Sequence, residues 1–275
     1  MLKPLVFFLF SLSAALFSSK ILQAEQLIFG VYANDNPRQI VEQLRPTLNE
    51  LEKNLSIIAG RDITIKMDVS SSYHDAINQL VSGRVDFSRF GVASYLIAQQ
   101  KNMNLRLLAI EKKKDQEFFY GIICVNAKSD IQTLGELTGR SFAFGDMSST
   151  IGRYMAQSTL LQAGVYGKNL SHYDYLKRHD KVGMAVADGT YDAGAIKEST
   201  FKSLVKNGYA LRSIKRMQVP TKPWIASDRL SQENFDLVQN ALLAILSGQQ
   251  SYYLPSNPVE HFKSVTRAIT LSKDF

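Results

Sequence analysis

The sequence predicts an α/β chain built as two lobes, each a mostly parallel sheet flanked by helices. Three observations carry this. Short apolar runs alternate with runs of helical period along most of the chain, the pattern of strands joined by crossover helices. One local motif, a helix, a glycine stop and a strand bearing an aspartate, occurs as Gly83-Arg84-Val85-Asp86 and again 106 residues later as Gly189-Thr190-Tyr191-Asp192. Its recurrence suggests two similarly built halves. Cys124 is the only cysteine, so no internal disulfide can form and the halves must rest on apolar cores. Paired lobes of this kind bind ligands beyond the carboxyl ends of their strands and so enclose a cleft.

Residues 1–24 read as an export signal. Lys3 gives a positive start, Leu5 to Phe17 an apolar core, and Ala24 a small residue before a cut, with Ser19 as the alternative. That core is shorter than the roughly 20 residues that span a bilayer. Leu22 stands where a second small residue is preferred, and no cysteine lies nearby to take a lipid. A soluble, exported product starting at Glu25 is expected, since no comparable apolar stretch follows.

Leu27 to Tyr32 reads as the first strand. Pro37, suited to a first helical turn, opens a helix to Asn54. Ile63 to Val69 alternates as a strand. Ser72, a capping residue, begins a helix to Ser82 that stops at Gly83. Val85 to Phe87 is a short strand, followed by a helix from Ala93 to Gln100. Leu105 to Ile110 and Phe119 to Val125 are strands on either side of the run Glu111 to Glu117, whose mixed signs suit a solvated connection. Cys124 lies in a buried-strand pattern and reads as inert core. Leu134 to Leu137 makes one helical turn. After the strand Ser141 to Phe144, a helix runs from Thr150 to Ala163 and stops at Gly164. Lys181 to Ala187 is helical, Tyr191 to Ile196 a strand, and Gln232 to Ser247 a late amphipathic helix.

The chain has 32 Lys+Arg against 25 Asp+Glu. Loss of residues 1–24 removes Lys3 and Lys20, leaving a milder basic excess that suits an anionic ligand or membrane surface and equally an ordinary solvated surface. No basic patch points to nucleic acid. Four histidines and one cysteine leave few metal ligands, and no metal or cofactor is expected. There is no Gly-x-Ser-x-Gly elbow, His-Glu-x-x-His pair or Gly-Lys-[Ser/Thr] loop, so an enzyme is not expected.

The segment that carries most chemistry follows the strand Ser141 to Phe144. The chain breaks at Gly145, places Ser148, Ser149 and Thr150 in a row, and enters a helix. First-turn N–H groups have no intrahelical partner and sit at the positive end of the helix dipole, so hydroxyls around them make a cradle for an oxyanion. The same residues suit plain helix caps. Asp86 and Asp192 read as residues that bond nearby backbone and fix loop geometry. Arg89 suits the surface or, as an extra anion contact, the cleft.

With these residues in view, the chain resembles the periplasmic phosphate-, phosphite- and phosphonate-binding proteins of ABC transporters, a type II periplasmic binding protein fold. The resemblance rests on Gly83 to Asp86, Phe90-Gly91-x-x-Ser94-Tyr95, Asp130 to Gly139, Phe142 to Asp146, Ser149-Thr150-x-Gly152, His179-Asp180, Ala185 to Asp192 and Pro220-x-x-Pro223. It implies two lobes, 25–117 with 218–275 and 118–217, joined by a hinge crossed near Gln116 to Phe118 and Met217 to Val219. It implies an anionic head on Ser149 and Thr150 facing His179, beside Ser148 of the same hydroxyl row, with Tyr73 and Tyr120 completing the pocket. Tyr32 and Tyr95 are weaker candidates. Glu198 stands near a further acid position of the family. Two departures stand out. Ile151 replaces a second serine, removing one hydroxyl donor. Lys222 falls where binders of amino-bearing phosphonates carry an acid, so it would repel an ammonium group and favour a second anionic one. The expected function is capture of a small anionic ligand by a monomer, by hinge closure, for the membrane permease of an ABC importer. The alternative is a ligand sensor feeding a membrane kinase or cyclase.

Overall fold

The computed structural model describes residues 25–33, 35–114, 116–245 and 250–275. The export signal read over 1–24 and the end of the expected helix Gln232 to Ser247 lie outside them. The first lobe holds β1 (Glu25–Tyr32), α1 (Pro37–Ala59), β2 (Ile63–Ser70), α2 (Tyr73–Val81), β3 (Phe87–Arg89), α3 (Val92–Lys101) and β4 (Arg106–Lys113). The second holds β5 (Phe118–Asn126), β6 (Ser141–Phe144), α4 (Ala156–Gln162), β7 (His172–Tyr175), α5 (His179–Ala187), β8 (Ala193–Lys197), α6 (Glu198–Lys206) and β9 (Leu211–Pro220). The chain then returns as β10 (Pro223–Ala226), α7 (Gln232–Leu243), β11 (Gln250–Tyr253) and α8 (Pro258–Leu271).

The sheet orders are β11-β4-β10-β3-β1-β2 and β7-β6-β8-β5-β9. Both are mixed rather than mostly parallel. β1 runs parallel to β2 and β3, and β6 to β7 and β8, but β10 is antiparallel to β3 and β4, and β5 to β8 and β9. The crossings explain this. β10 returns from the second lobe and inserts against strands already laid down, while β5 enters and β9 leaves that lobe side by side. Thr221 ties the two crossings together, its hydroxyl donating to the Glu111 and Glu117 carbonyls at 2.5 and 3.1 Å. The break between sheets on the return falls at Thr221 and Lys222, just beyond Met217 to Val219.

Sheet faces follow the two-residue alternation of strands. Leu27, Phe29 and Val31 meet α1 and α7, whose Leu44, Leu48, Leu51 and Val238 are buried. Ile28 and Tyr32 face the other way, toward α2 and α3. A strand buried on both faces shows the continuous apolar run seen in the sequence. The paired motif has one meaning in both lobes. Asp86 accepts from the Ile28 N–H at 2.6 Å and Asp192 from the Ser141 N–H at 2.8 Å, each after a glycine with positive φ (68° at Gly83, 82° at Gly189). Each aspartate pins its loop to the adjoining parallel strand.

Two expectations change. Glu111, the first residue of the charged run, is buried rather than solvated, paired with Arg89 and accepting from Trp224 Nε1 at 2.9 Å. Arg89 is therefore at neither the surface nor the cleft. The C-terminal helix packs on elements of both lobes. Phe262, Val265 and Ala268 form its buried stripe. Phe262 meets Tyr95 of α3 with ring centroids 5.6 Å apart, α8 also packs on α4, and Phe275 lies 5.4 Å from Phe144 of β6.

Candidate functional site

The loop between β6 and α4 is set by two glycines. After β6, the Gly145 N–H donates to the Gly152 carbonyl at 2.8 Å, and a Cβ on Gly152 would stand 2.7 Å from the Gly145 Cα. This approach widens the turn at Thr150–Met155 into a π-type turn, in which the Tyr154 N–H reaches the Ser149 carbonyl at 3.3 Å. The regular helix α4 starts only at Ala156, against the expected start at Thr150. Widened turns of this kind are frequent at functional sites. Ser149 caps the turn, its Oγ accepting from the Gly152 N–H at 3.0 Å, and it shares a hydrogen bond with the Tyr73 hydroxyl.

Thr150 reaches across to the first lobe. Its Oγ1 accepts from the Ala93 N–H at 2.9 Å, serving α3 as a cap that Gly91 cannot provide. A hydroxyl oxygen engaged as acceptor still has its O–H to donate. The Ser94 hydroxyl donates to the Ser148 carbonyl at 3.0 Å, and the Gly91 N–H donates to the Tyr32 hydroxyl at 2.7 Å. Gly91 is needed here, since a Cβ would stand 2.8 Å from Thr150 Oγ1.

Between the lobes lies a cavity of about 20 Å³ lined by Tyr32, Tyr73, Gly91, Phe119, Ser149, Thr150, Ile151, His179, Lys197 and Lys222. The space is close to that of a single water, so the two walls stand close together. Tyr32 and Tyr73 stack with centroids 3.7 Å apart. Of the residues named from sequence, Tyr32, Tyr73, Ser149, Thr150, Ile151, His179 and Lys222 come together on this lining, while Tyr95 does not. Ser148 contributes its carbonyl to the lobe contact and is not on the lining. Ile151 packs on the hinge strand, where a Cβ on Gly121 would stand 2.7 Å from its Cγ2.

Tyr120 and Glu198 lie elsewhere. Phe119, Gly121 and Ile123 share the cleft-side face of β5, while Tyr120, Ile122 and Cys124 share the other. Tyr120 accordingly stacks under the Arg216 guanidinium, 3.2 Å from the ring centroid. Glu198 accepts from Arg216 Nε at 2.9 Å and pairs with Lys202 at 3.2 Å. Sequence reasoning missed Phe119 and Lys197. Alternation along β5 could have found the first, and the position at the carboxyl end of β8 the second.

The electrostatics are asymmetric. Lys197 pairs with Asp35, which also accepts from the Thr200 hydroxyl at 3.1 Å. Burial opposes the Asp35 carboxylate, but Lys197 and His179 outweigh it and hold it below the ordinary range. Lys222 forms no ion pair or side-chain hydrogen bond among the described residues. Burial first, then Arg89 and Lys197, press it well below the ordinary lysine range. Burial, with Lys197 and Lys222, pushes the His179 imidazole down to about 3. Its Nδ1 and Ser88 Oγ are the buried side-chain polar atoms without a hydrogen-bond partner among the described residues.

Comparison with known proteins supplies the family. Residues 29–268 match the family described as "ABC transporter, phosphonate, periplasmic substrate-binding protein". A protein of Prochlorococcus marinus (strain MIT 9301), named as a probable ABC transporter phosphite binding protein, PhnD1, is 28% identical over 207 residues, 68% of each chain. The structure of PhnD1 in complex with methylphosphonate superposes with a TM-score of 0.76 at 20% identity, covering 90% of this chain and 99% of that one. A binding protein component of an ABC phosphonate transporter from Pseudomonas aeruginosa gives a TM-score of 0.76 at 13% identity, covering 91% and 87%. With the match spanning both lobes and the loop between Gly145 and Gly152, the chain belongs to the phosphonate-binding periplasmic substrate-binding proteins of ABC transporters.

Proposed function

We propose that this chain, exported and cut near Ala24, captures a small phosphorus oxyanion between its lobes and delivers it to an ABC permease without transforming it. The carrying observation is the convergence of Ser149, Thr150, His179 and Lys222 on one narrow cavity. The hydroxyls and the N–H groups of the widened turn suit phosphoryl oxygens, and Lys222 suits their charge. Tyr32, Tyr73, Phe119 and Ile151 form the apolar wall against which a short substituent would rest. Contacts from both lobes favour the closed state on binding, the basis of hinge closure. No helix among the described residues is long and apolar enough to cross a membrane.

Isothermal titration with phosphate, phosphite and methylphosphonate tests this. A hydrogen bond to a charged group contributes roughly 1.5–3 kcal/mol, so Ser149→Ala and Thr150→Val should each weaken binding about tenfold or more. Absence of binding by all three anions would refute the reading.

A further inference from the structure

One buried nitrogen on the cavity lining is idle. A neutral imidazole has one N–H and one lone pair, and a buried N–H without an acceptor is rarer than an under-used acceptor. A backbone hydrogen bond at Ala195 favours donation by the His179 ring. With Nδ1 unpartnered, the proton belongs on Nε2 and the lone pair on Nδ1. The neighbouring charges leave one cation over. Arg89 is matched by Glu111 and Lys197 by Asp35, while Lys222 is matched by none. The cavity thus joins one lysine without an acidic partner to one waiting hydrogen-bond acceptor.

On the reading that this cleft holds a small oxyanion, we propose that His179 is a specificity-determining residue that senses a proton on the ligand. Its Nδ1 accepts a hydrogen bond from an acidic O–H of the bound anion, and Lys222 balances the single charge that remains. The ligand class is therefore the singly protonated phosphorus oxyanion. A sulfonate has the same tetrahedral shape and single charge but no O–H near neutral pH. Its oxygen lone pair would face the lone pair of Nδ1, which is unfavourable in a buried site.

Methylphosphonate and methanesulfonate have the same shape and provide the test, by calorimetry on the mature chain. At about pH 6, where both anions are largely singly charged, the wild type should bind methylphosphonate at least about tenfold more tightly. His179→Ala should bring the two affinities to within about twofold, whereas Lys222→Gln should weaken both alike. Raising the pH through the second ionisation of methylphosphonate should shrink the wild-type preference. Titration of Lys222 itself, faced by Arg89, Glu111, Lys197, Asp35 and His179, acts on both anions and leaves the ratio to report the ligand proton. Equal binding by the wild type, a preference unchanged in His179→Ala, or a preference that grows with pH would each overturn the proposal. The wild-type pH series decides the matter even if His179→Ala folds poorly. Binding of neither anion, nor of phosphite or phosphate, would instead remove the oxyanion reading beneath it.

Discussion

His179 shows how a site residue can load a fold. Its imidazole titrates at about 3 in the folded chain against 6.5 ordinarily. Between those values the unfolded chain takes up a proton that the folded chain refuses. The stability involved is complete above 6.5 and is lost as pH falls toward 3, at about 1.4 kcal/mol per pH unit. Urea midpoints of ligand-free protein measured between about pH 4 and 7 should fall with acidity, and His179→Phe should flatten that part of the curve. An unaltered slope would mean that other groups dominate. At this scale the sequence was a partial guide. The hydroxyls could be named because donors at a helix start declare their chemistry, and His179 and Lys222 because the family resemblance marked their positions. Phe119 and Tyr120 could not be told apart without knowing which face of β5 meets the cleft, and the consequence of Ile151 was visible only once Gly121 stood opposite it.

Among elements, the loop between β6 and α4 departs furthest from its local pattern. The run Thr150 to Ala163 has helical period, yet its first six residues form a wider turn because Gly145 and Gly152 touch backbone to backbone. That contact lies across the chain and leaves no trace in periodicity. Gly152→Ala would press a methyl against the Gly145 Cα, an atom with no freedom to yield. The expected result is a loss of roughly 1–3 kcal/mol in urea unfolding, with anion binding abolished in calorimetry. Four strands among the described residues are absent from the sequence reading. β7, β9 and β11 are edges of their sheets, and β9 carries Arg212, Lys215 and Arg216 in the polar style of protected edges. β10 is central and buried but opens on Pro223, a residue that reads against a central strand. Central strands such as β1, β5 and β6 were legible because both their faces are buried.

For the whole molecule, the two-lobed α/β plan was legible because it repeats, whereas the strand directions depended on crossings that no local pattern encodes. The closed arrangement is held by contacts of low exposure, chief among them Asp35 with Lys197 and Thr200. Asp35→Ala would leave Lys197 buried without its partner, a costly condition. The ligand-free variant should therefore open, read as a larger radius of gyration in X-ray scattering, and close again at saturating anion. No change would show that the pair is incidental to closure. The C-terminal helix then sets what kind of opening is possible. Phe275 is seated among Phe144, Tyr173 and β6, whereas α8 meets α3 through a helix-to-helix face of the sort that slides in shear motions. The lobes are thus not two plates on a free pivot. Any change in their angle would have to carry the Phe262 ring across Tyr95, a third junction beside the two strand crossings.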